Sequence, residues 1–171
     1  MTLHLVRHGR SLIDRALPAH RWELDPAGFD DVWALRESAR LPSVAQWFTS
    51  PEPKAMQTAQ LLTDGEVAVV PGLQEHRRDS TTWHEDFVAV VRRAFAESDQ
   101  SAAPGWEPLT ACRQRVTGAV EGLRELHPDR DLVLVGHGTA WTVLVAALTG
   151  EPPDLDRWET LAMPDVIAVP A

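Results

Sequence analysis

The chain lacks the features that mark secreted, membrane and cysteine-rich proteins. Among its 171 residues there is one cysteine, Cys112, which excludes an intramolecular disulfide and a cysteine-based zinc cluster. No stretch approaches the roughly 20 apolar residues that a membrane span requires. The opening MTLHLVRHGRS interrupts its apolar run with His4 and Arg7, which is not typical of a secretory signal. We therefore expect a cytoplasmic protein with no membrane partner.

Positive charge is also scarce. The 16 basic residues are outnumbered by 25 acidic residues, and the formal net charge is -9. Such a field repels polyanions, so we expect no binding to nucleic acid or to anionic lipid, and any bound anion must be held by local groups. Only one basic residue is a lysine, Lys54, which makes its position informative.

What is present is typical of a globular domain. Hydrophobic residues make up 44% of the chain and charged residues 24%, both close to the averages for folded soluble proteins. Proline and glycine are spread evenly, and no low-complexity linker or repeat marks a boundary. The length and this distribution predict one domain over residues 1–171.

Short apolar runs alternate with segments of helical spacing. The patterns predict strands at residues 3–6, 45–48, 66–70, 132–135 and 166–169. They predict helices at residues 25–40, 54–62, 87–96, 109–126 and 139–148, with Asp25 capping the first. Strands separated by helices indicate an α/β fold with a largely parallel sheet.

Two of the predicted strands end in nearly the same way. LVRHG occupies residues 5–9 and LVGHG occupies residues 134–138. The carboxyl ends of parallel strands lie along one edge of a sheet, where ligands bind, so His8 and His137 are expected to face one another. A lone histidine at a strand end is more often structural, but the matched pair favours a functional site.

A third strand points to the same edge. The strand at 45–48 runs into Thr-Ser-Pro, and the next helix opens with Lys54, close to a helix N-terminus where anions are favoured. Arg7, Lys54 and the two histidines are therefore expected to surround one phosphate-sized anion.

Together these motifs resemble the histidine phosphatase superfamily, which has the phosphoglycerate-mutase-like fold, and in size the chain is similar to the small phosphatases of its branch 1. Arg7-His8-Gly9 matches the family's Arg-His-Gly signature. Residues 49–59, TSPEPKAMQTA, resemble its Ser-Ser-Pro segment with the Arg-Ala-x-Gln-Thr-Ala continuation, and residues 136–138 resemble its second histidine motif. The resemblance implies a three-layer α/β/α architecture with a mostly parallel central sheet.

The resemblance also implies roles for the site residues. His8 is the expected nucleophile, which becomes transiently phosphorylated, and Arg7, Lys54, Ser11 and His137 are expected to bind the phosphoryl oxygens. A neutral imidazole nitrogen can attack phosphorus in line, and convergent cations stabilise the charge on the equatorial oxygens. A phosphate dianion beside His137 favours its protonated form. No metal and no cofactor are expected.

The leaving oxygen needs a proton, so a carboxylic acid is expected above the pocket. By the family's order this is Glu75, which follows the third predicted strand, and Asp79 and Glu85 remain alternatives. The basic run at residues 76–78 either contacts an anionic substrate or forms a solvated surface.

Two positions depart from the family pattern. Lys54 replaces the usual arginine, which gives the phosphate a point charge in place of a bidentate fork. Asp14 stands where many members have an asparagine, and a carboxylate next to phosphate must point away, be protonated or pair. Arg10, four residues earlier, is the predicted partner.

The expected function is metal-independent hydrolysis of phosphomonoesters through a phosphohistidine intermediate, on a small phosphorylated substrate or a phosphoprotein, with phosphohistidine itself among the candidates. The alternative is a non-catalytic phospho-ligand binding protein of the same fold. A dinucleotide fingerprint is disfavoured because Trp141 stands where a small residue is needed, and a P-loop is excluded because Lys54 precedes Ala55.

Overall fold

The computed structural model describes residues 1–170, and its centre is a five-stranded sheet. The strands are β1 (Thr2–Arg7), β2 (Gln46–Thr49), β3 (Val67–Val69), β4 (Leu132–Gly136) and β5 (Asp165–Pro170). Their order across the sheet is β3-β2-β4-β1-β5, with β5 antiparallel to β1 and the other neighbours parallel. The predicted mostly parallel sheet is confirmed.

Helices cover both faces of this sheet. They are α1 (Phe29–Glu37), α2 (Pro53–Leu62), α3 (Phe87–Ala96), α4 (Leu109–Leu126), α5 (Gly138–Thr149) and α6 (Leu155–Thr160). The predicted bounds of α3 and α4 agree with the structure. Within residues 1–170, the helices are all too short or too polar to cross a membrane.

The N-terminal part of the first predicted helix has a different form. Asp25 caps it as expected, with its carboxylate accepting a hydrogen bond from the Ala27 amide at 2.9 Å. The first turn, Pro26–Gly28, is a 3-10 helix, and α1 ends at Glu37 rather than near Arg40. α6 was not predicted, since six residues are too few to display a helical period.

The core lies in two layers, one on each side of the sheet. β4 is buried on both faces, and its side chains alternate between the layers, as expected for a central parallel strand. Leu132 and Leu134 pack with residues of α4 and α5, whereas Val133 and Val135 pack with residues of α1 and α2. The result is the three-layer α/β/α architecture, in which the carboxyl ends of β1, β2 and β4 emerge side by side.

Candidate active site

A cavity of about 940 Å³ opens at the carboxyl ends of β1, β2 and β4. Every site residue predicted from the sequence lines it: Arg7, His8, Ser11, Lys54, Glu75 and His137. The sheet register explains why His8 and His137 lie close together. Arg7 at the end of β1 is paired with Gly136 at the end of β4, and a histidine directly follows each of them. The ring centroids of His8 and His137 are 5.1 Å apart.

His8 is held in one protonation state. Its Nδ1–H donates to the carbonyl oxygen of Gly9 at 2.6 Å, which leaves the lone pair on Nε2. Burial, the neighbouring His137 and the ammonium of Lys54 hold the pKa of His8 well below its usual value of 6.5. At neutral pH the ring is therefore a neutral imidazole with a free Nε2, which is the form that a nucleophile requires.

His137 is completely buried, and its Nε2 lies 2.8 Å from Oγ of Ser50 and 3.4 Å from Oε1 of Glu52. Burial and the positive charge of Lys54 lower the pKa of His137 to about 3. The ring is thus neutral at neutral pH. Protonation of His137 requires the negative charge of a bound phosphoryl group.

Lys54 already has two protein partners. Its Nζ donates to Oε2 of Glu52 at 2.5 Å and to the carbonyl oxygen of Ala19 at 2.7 Å, and its side chain is 6% exposed. Glu52 was not predicted as a site residue, although it lies within the TSPEPK motif. The buried carboxylate offsets the only lysine, so the positive charge available to an anion is smaller than the sequence suggested.

The carboxylate of Glu75 is bound at the start of α5. Its oxygens accept hydrogen bonds from the amides of Ala140 at 2.8 Å, Thr139 at 3.2 Å and His76 at 2.9 Å. Burial opposes ionisation of this group, but Arg78, His137 and these backbone donors outweigh it and lower the pKa of Glu75 to about 2. Glu75 is therefore ionised at neutral pH.

Arg7 lies against the first turn of α5. Its Nη1 donates to the carbonyl oxygen of Leu161, and its buried Nε has no hydrogen-bond partner within residues 1–170. A methyl group at Gly138 would lie 3.4 Å from Nε of Arg7, which is ordinary van der Waals contact. Ser11 is the remaining predicted ligand, and its backbone forms a β-bridge with Leu24 at the cavity wall.

The loop that carries Glu75 is fixed by Arg115, a residue that the sequence analysis missed. The Arg115 guanidinium donates to the carbonyl oxygens of Gly72 at 3.1 Å, Gln74 at 2.8 Å and Glu75 at 3.1 Å. It also pairs with Glu107 at 2.6 Å. Because the contacts join residues about 40 positions apart, no local pattern indicates them.

The predicted Arg10–Asp14 pair is wrong. Arg10 Nε pairs with Asp25 at 2.9 Å, and the Asp14 carboxylate accepts a hydrogen bond from the Ala16 amide at 2.9 Å. The spacing rule behind the prediction holds on a helix, and these residues are not helical. Asp14 is not among the residues that line the cavity, so of the three arrangements expected for it the structure has the one that points away.

The buried histidines predict how stability depends on pH. Below its usual pKa of 6.5 an unfolded histidine takes up a proton that folded His8 and His137 do not, so folding weakens as the pH falls. We expect a loss of about 1.4 kcal/mol for each histidine per pH unit at about pH 5. Glu75 adds to this loss of stability at lower pH, because its pKa falls from 4.5 in the unfolded chain to about 2 in the folded protein.

Urea denaturation of the wild type and of His137→Gln between about pH 7 and pH 4.5 measures this dependence. The variant is expected to lose stability less steeply than the wild type, because one buried neutral imidazole has been removed. Parallel curves for the two proteins contradict the burial of a neutral His137.

Comparison with known protein families identifies the class of protein. The model of the histidine phosphatase superfamily (branch 1) matches residues 3–166, and the chain belongs to this superfamily. A probable phosphoglycerate mutase of Cronobacter sakazakii is 24% identical over 169 residues, which cover 92% of this chain and 79% of that protein.

Solved structures share the fold. The chain is similar to the phosphoserine phosphatase of Entamoeba histolytica, in a mutant form with phosphoserine, with a TM-score of 0.77 and 16% identity over 98% of this chain and 89% of that one. It is also similar to the mycobacterial glucosyl-3-phosphoglycerate phosphatase, with a TM-score of 0.72 and 25% identity over 94% and 84% of the two chains. The α-ribazole phosphatase of Shigella flexneri gives a TM-score of 0.71 and 24% identity over 93% and 84%.

Proposed function

We propose that this protein is a phosphatase that hydrolyses phosphomonoesters through a phosphohistidine intermediate on His8. The observation that carries the proposal is the neutral imidazole of His8, whose Nδ1–H is committed to Gly9 while Nε2 keeps its lone pair. Arg7 and His137 line the same cavity, which suits a phosphoryl group attacked by His8. Membership of the superfamily supports the reaction class.

The first chemical step forms one bond and breaks one. Nε2 of His8 bonds to phosphorus while the bond between phosphorus and the leaving oxygen breaks, and the acid form of Glu75 transfers its proton to that oxygen. His8 keeps its Nδ1 proton, so the phosphorylated ring is a cation. The Gly9 carbonyl oxygen, which accepts from Nδ1, stabilises that charge.

The second step releases phosphate. A water molecule attacks phosphorus, the bond to Nε2 breaks, and the Glu75 carboxylate takes the proton of the water. His8 returns to a neutral imidazole. The product is inorganic phosphate, and Glu75 releases its proton to water as the phosphate leaves.

Glu75 must gain a proton before the first step, since its pKa is about 2. The substrate supplies it. The negative charge of a bound phosphoryl group raises the pKa of a neighbouring carboxyl, and a phosphomonoester that binds as the monoanion brings the proton with it. Protonation of His137 beside the phosphoryl oxygens follows the same rule.

The similarity to known phosphatases supports small organic phosphates as the substrate class. The proteins similar to this chain include phosphatases of phosphoserine, glucosyl-3-phosphoglycerate and α-ribazole. A cavity of about 940 Å³ has room for an organic leaving group of this size. We place the activity in the cytoplasm, in keeping with the single buried cysteine.

One observation favours the non-catalytic alternative, in which the protein only binds phosphorylated ligands. Glu52 puts a buried carboxylate against Lys54 and near His137, which reduces the positive charge available to stabilise the transition state of phosphoryl transfer. Hydrolysis of 4-nitrophenyl phosphate by the wild type in the presence of a chelator separates the two functions, with phosphate affinity measured by calorimetry alongside. Turnover supports the phosphatase, phosphate binding without turnover assigns the binding protein, and the absence of both overturns both.

Glu52 also gives a prediction for phosphate affinity. Glu52→Gln removes one negative charge from the site but keeps an acceptor for the Glu75 amide, to which Oε1 is bonded at 2.9 Å. We expect inorganic phosphate to bind about tenfold more tightly to the variant, which corresponds to about 1.4 kcal/mol. The matched control is Glu107→Gln, since Glu107 pairs with Arg115 and does not line the cavity. Unchanged or weaker binding by Glu52→Gln contradicts the prediction.

A further inference from the structure

The proposed reaction leaves Arg78 without a role, although this arginine lines the cavity and its guanidinium is held by several contacts. Its guanidinium lies over the rings of Trp106 and Phe87, with Cζ 4.6 Å and 4.8 Å from the two ring centroids. Of its five N–H donors, one bond is made to a side chain, from Nη2 to Oγ1 of Thr139 at 3.1 Å. Its buried Nε has no hydrogen-bond partner within residues 1–170.

No carboxylate in the described part of the chain, residues 1–170, forms an ion pair with Arg78. The two carboxylates that influence it most, Glu75 and Glu52, are engaged elsewhere: Glu75 by the amides at the start of α5 and Glu52 by Lys54. The other arginine that faces the cavity from this loop, Arg77, is exposed, and its Nε donates to the side-chain oxygen Oε1 of Gln74. Arg78 is half-buried and has no charged partner, so its guanidinium is available to pair with an anion in the cavity.

The backbone on both sides of Arg78 is anchored. The Asp79 amide donates to the carbonyl oxygen of Gly105 at 2.8 Å, and the Glu107 amide donates to that of Arg77 at 3.0 Å. The rings of Phe87 and Trp106 contact the guanidinium as well. The group is therefore held in place before any ligand arrives, as expected of a recognition residue and not of a solvated surface arginine.

Arg78 lies on the side of the cavity where the leaving group is expected. It contacts Oγ1 of Thr139, and the amide of the same threonine donates to Oε2 of Glu75, the proposed acid. A group bound to Arg78 would thus be attached to the leaving oxygen and not to the phosphoryl group that His8 attacks. A single guanidinium matches a singly charged planar acceptor, and a carboxylate has that charge and that shape.

We propose that Arg78 binds a carboxylate on the leaving group, so that the preferred substrates are phosphomonoesters of hydroxy acids. This inference rests on the proposed function, because it assigns the leaving-group side of the same cavity. Arg78 is a specificity-determining residue in this account. It contacts the substrate but takes no part in bond making or breaking.

The test compares ligands that differ by one charge. The probes are the phosphate esters of glycolic acid and of 3-hydroxypropionic acid, each paired with its own primary amide, so that two chain lengths are covered. Calorimetry on His8→Ala gives dissociation constants for the intact esters, and this measurement does not depend on turnover. For at least one chain length the acid is expected to bind at least about tenfold more tightly than the amide.

Variants of Arg78 then locate the preference. Adding Arg78→Gln to His8→Ala is expected to remove the preference, because only the binding of the acid becomes weaker. Arg78→Lys is expected to retain part of the preference. The control Arg77→Gln is expected to leave it unchanged. Equal binding of acid and amide at both chain lengths overturns the proposal, as does a preference that survives Arg78→Gln. Equal weakening of both ligands overturns it too, because Arg78 then acts on the phosphoryl group.

Failure of this inference is distinguishable from failure of the proposed function. If the wild-type protein hydrolyses 4-nitrophenyl phosphate but the binding measurement shows no preference for the acids, only the inference about Arg78 is overturned. If the wild-type protein does not hydrolyse the aryl ester but the acids bind more tightly than the amides, the inference about Arg78 is supported and the proposed phosphatase activity is overturned.

Discussion

His8→Ala is expected to lower kcat/KM for aryl phosphates by at least about 10³-fold, the scale on which enzymes lose activity when the covalent nucleophile is removed. Alanine leaves no atom to bond to phosphorus. No other histidine of the cavity has its Nδ1–H bound to a carbonyl oxygen and its Nε2 free. His137 is the nearest imidazole, but its Nε2 is engaged by Ser50 and Glu52. Its other ring nitrogen, Nδ1, is buried, and we therefore expect no rescue of His8→Ala by His137.

The fold of His8→Ala is expected to persist. His8 makes one side-chain hydrogen bond, to its neighbour Gly9, and lies beside a cavity that already exists, so the substitution enlarges that cavity and breaks no long-range contact. The matched control is His20→Ala, at the rim of the same cavity, which is expected to keep the activity within about threefold, as for surface changes. Steady-state kinetics with circular dichroism measure both. Turnover of His8→Ala close to the wild type contradicts the role of His8.

Glu75→Gln is expected to slow hydrolysis to a degree that depends on the leaving group. A glutamine cannot donate the proton that a poor leaving group needs, whereas a nitrophenolate leaves without it. General acid catalysis contributes about 10² to 10⁴-fold, so we expect a loss of about 10³-fold for an alkyl phosphate and about tenfold or less for 4-nitrophenyl phosphate. The plot of log kcat/KM against the leaving-group pKa is therefore expected to be steeper for the variant.

Asp79→Asn is the matched control for this series, because Asp79 lines the cavity and was an alternative acid in the sequence analysis. Its side chain is 72% exposed, whereas the carboxylate of Glu75 is held by the amides at the start of α5. We expect the slope for Asp79→Asn to equal that of the wild type. Equal slowing of every substrate by Glu75→Gln counts against its role as the acid, and a steeper slope for Asp79→Asn reassigns the role.

The parts of the fold that were predictable are those with strong local periodicity. α3 and α4 show apolar residues at helical spacing from end to end, and β4 is a short apolar run with both faces buried, so each was located to within about a residue. The first helix was predicted too long, because its cap at Asp25 opens a 3-10 turn before α1. Periodicity does not distinguish these two kinds of turn.

In the site, strand pairing made the central groups predictable. His8 and His137 follow paired positions in β1 and β4, so a matched motif in the sequence becomes a short distance in space. Arg78 was considered only as part of the basic run at residues 76–78, and Glu52 and Arg115 were not assigned roles, because contacts such as Arg78–Thr139 and Arg115–Glu75 join distant parts of the chain. Glu52 is instructive, since it stands inside a recognised motif and its contact with His137 spans β2 and β4.

A phosphorylated His8 is tested most directly by trapping it. Wild-type protein is mixed with an excess of 4-nitrophenyl phosphate, quenched in alkali within milliseconds, digested and analysed by mass spectrometry. We predict a phosphoryl group on the peptide that contains His8, at a level that rises and decays with turnover, and its absence from His8→Ala. A turning-over wild-type protein with no phosphoryl group on that peptide, or with the group on Ser11 or Ser50, contradicts the account.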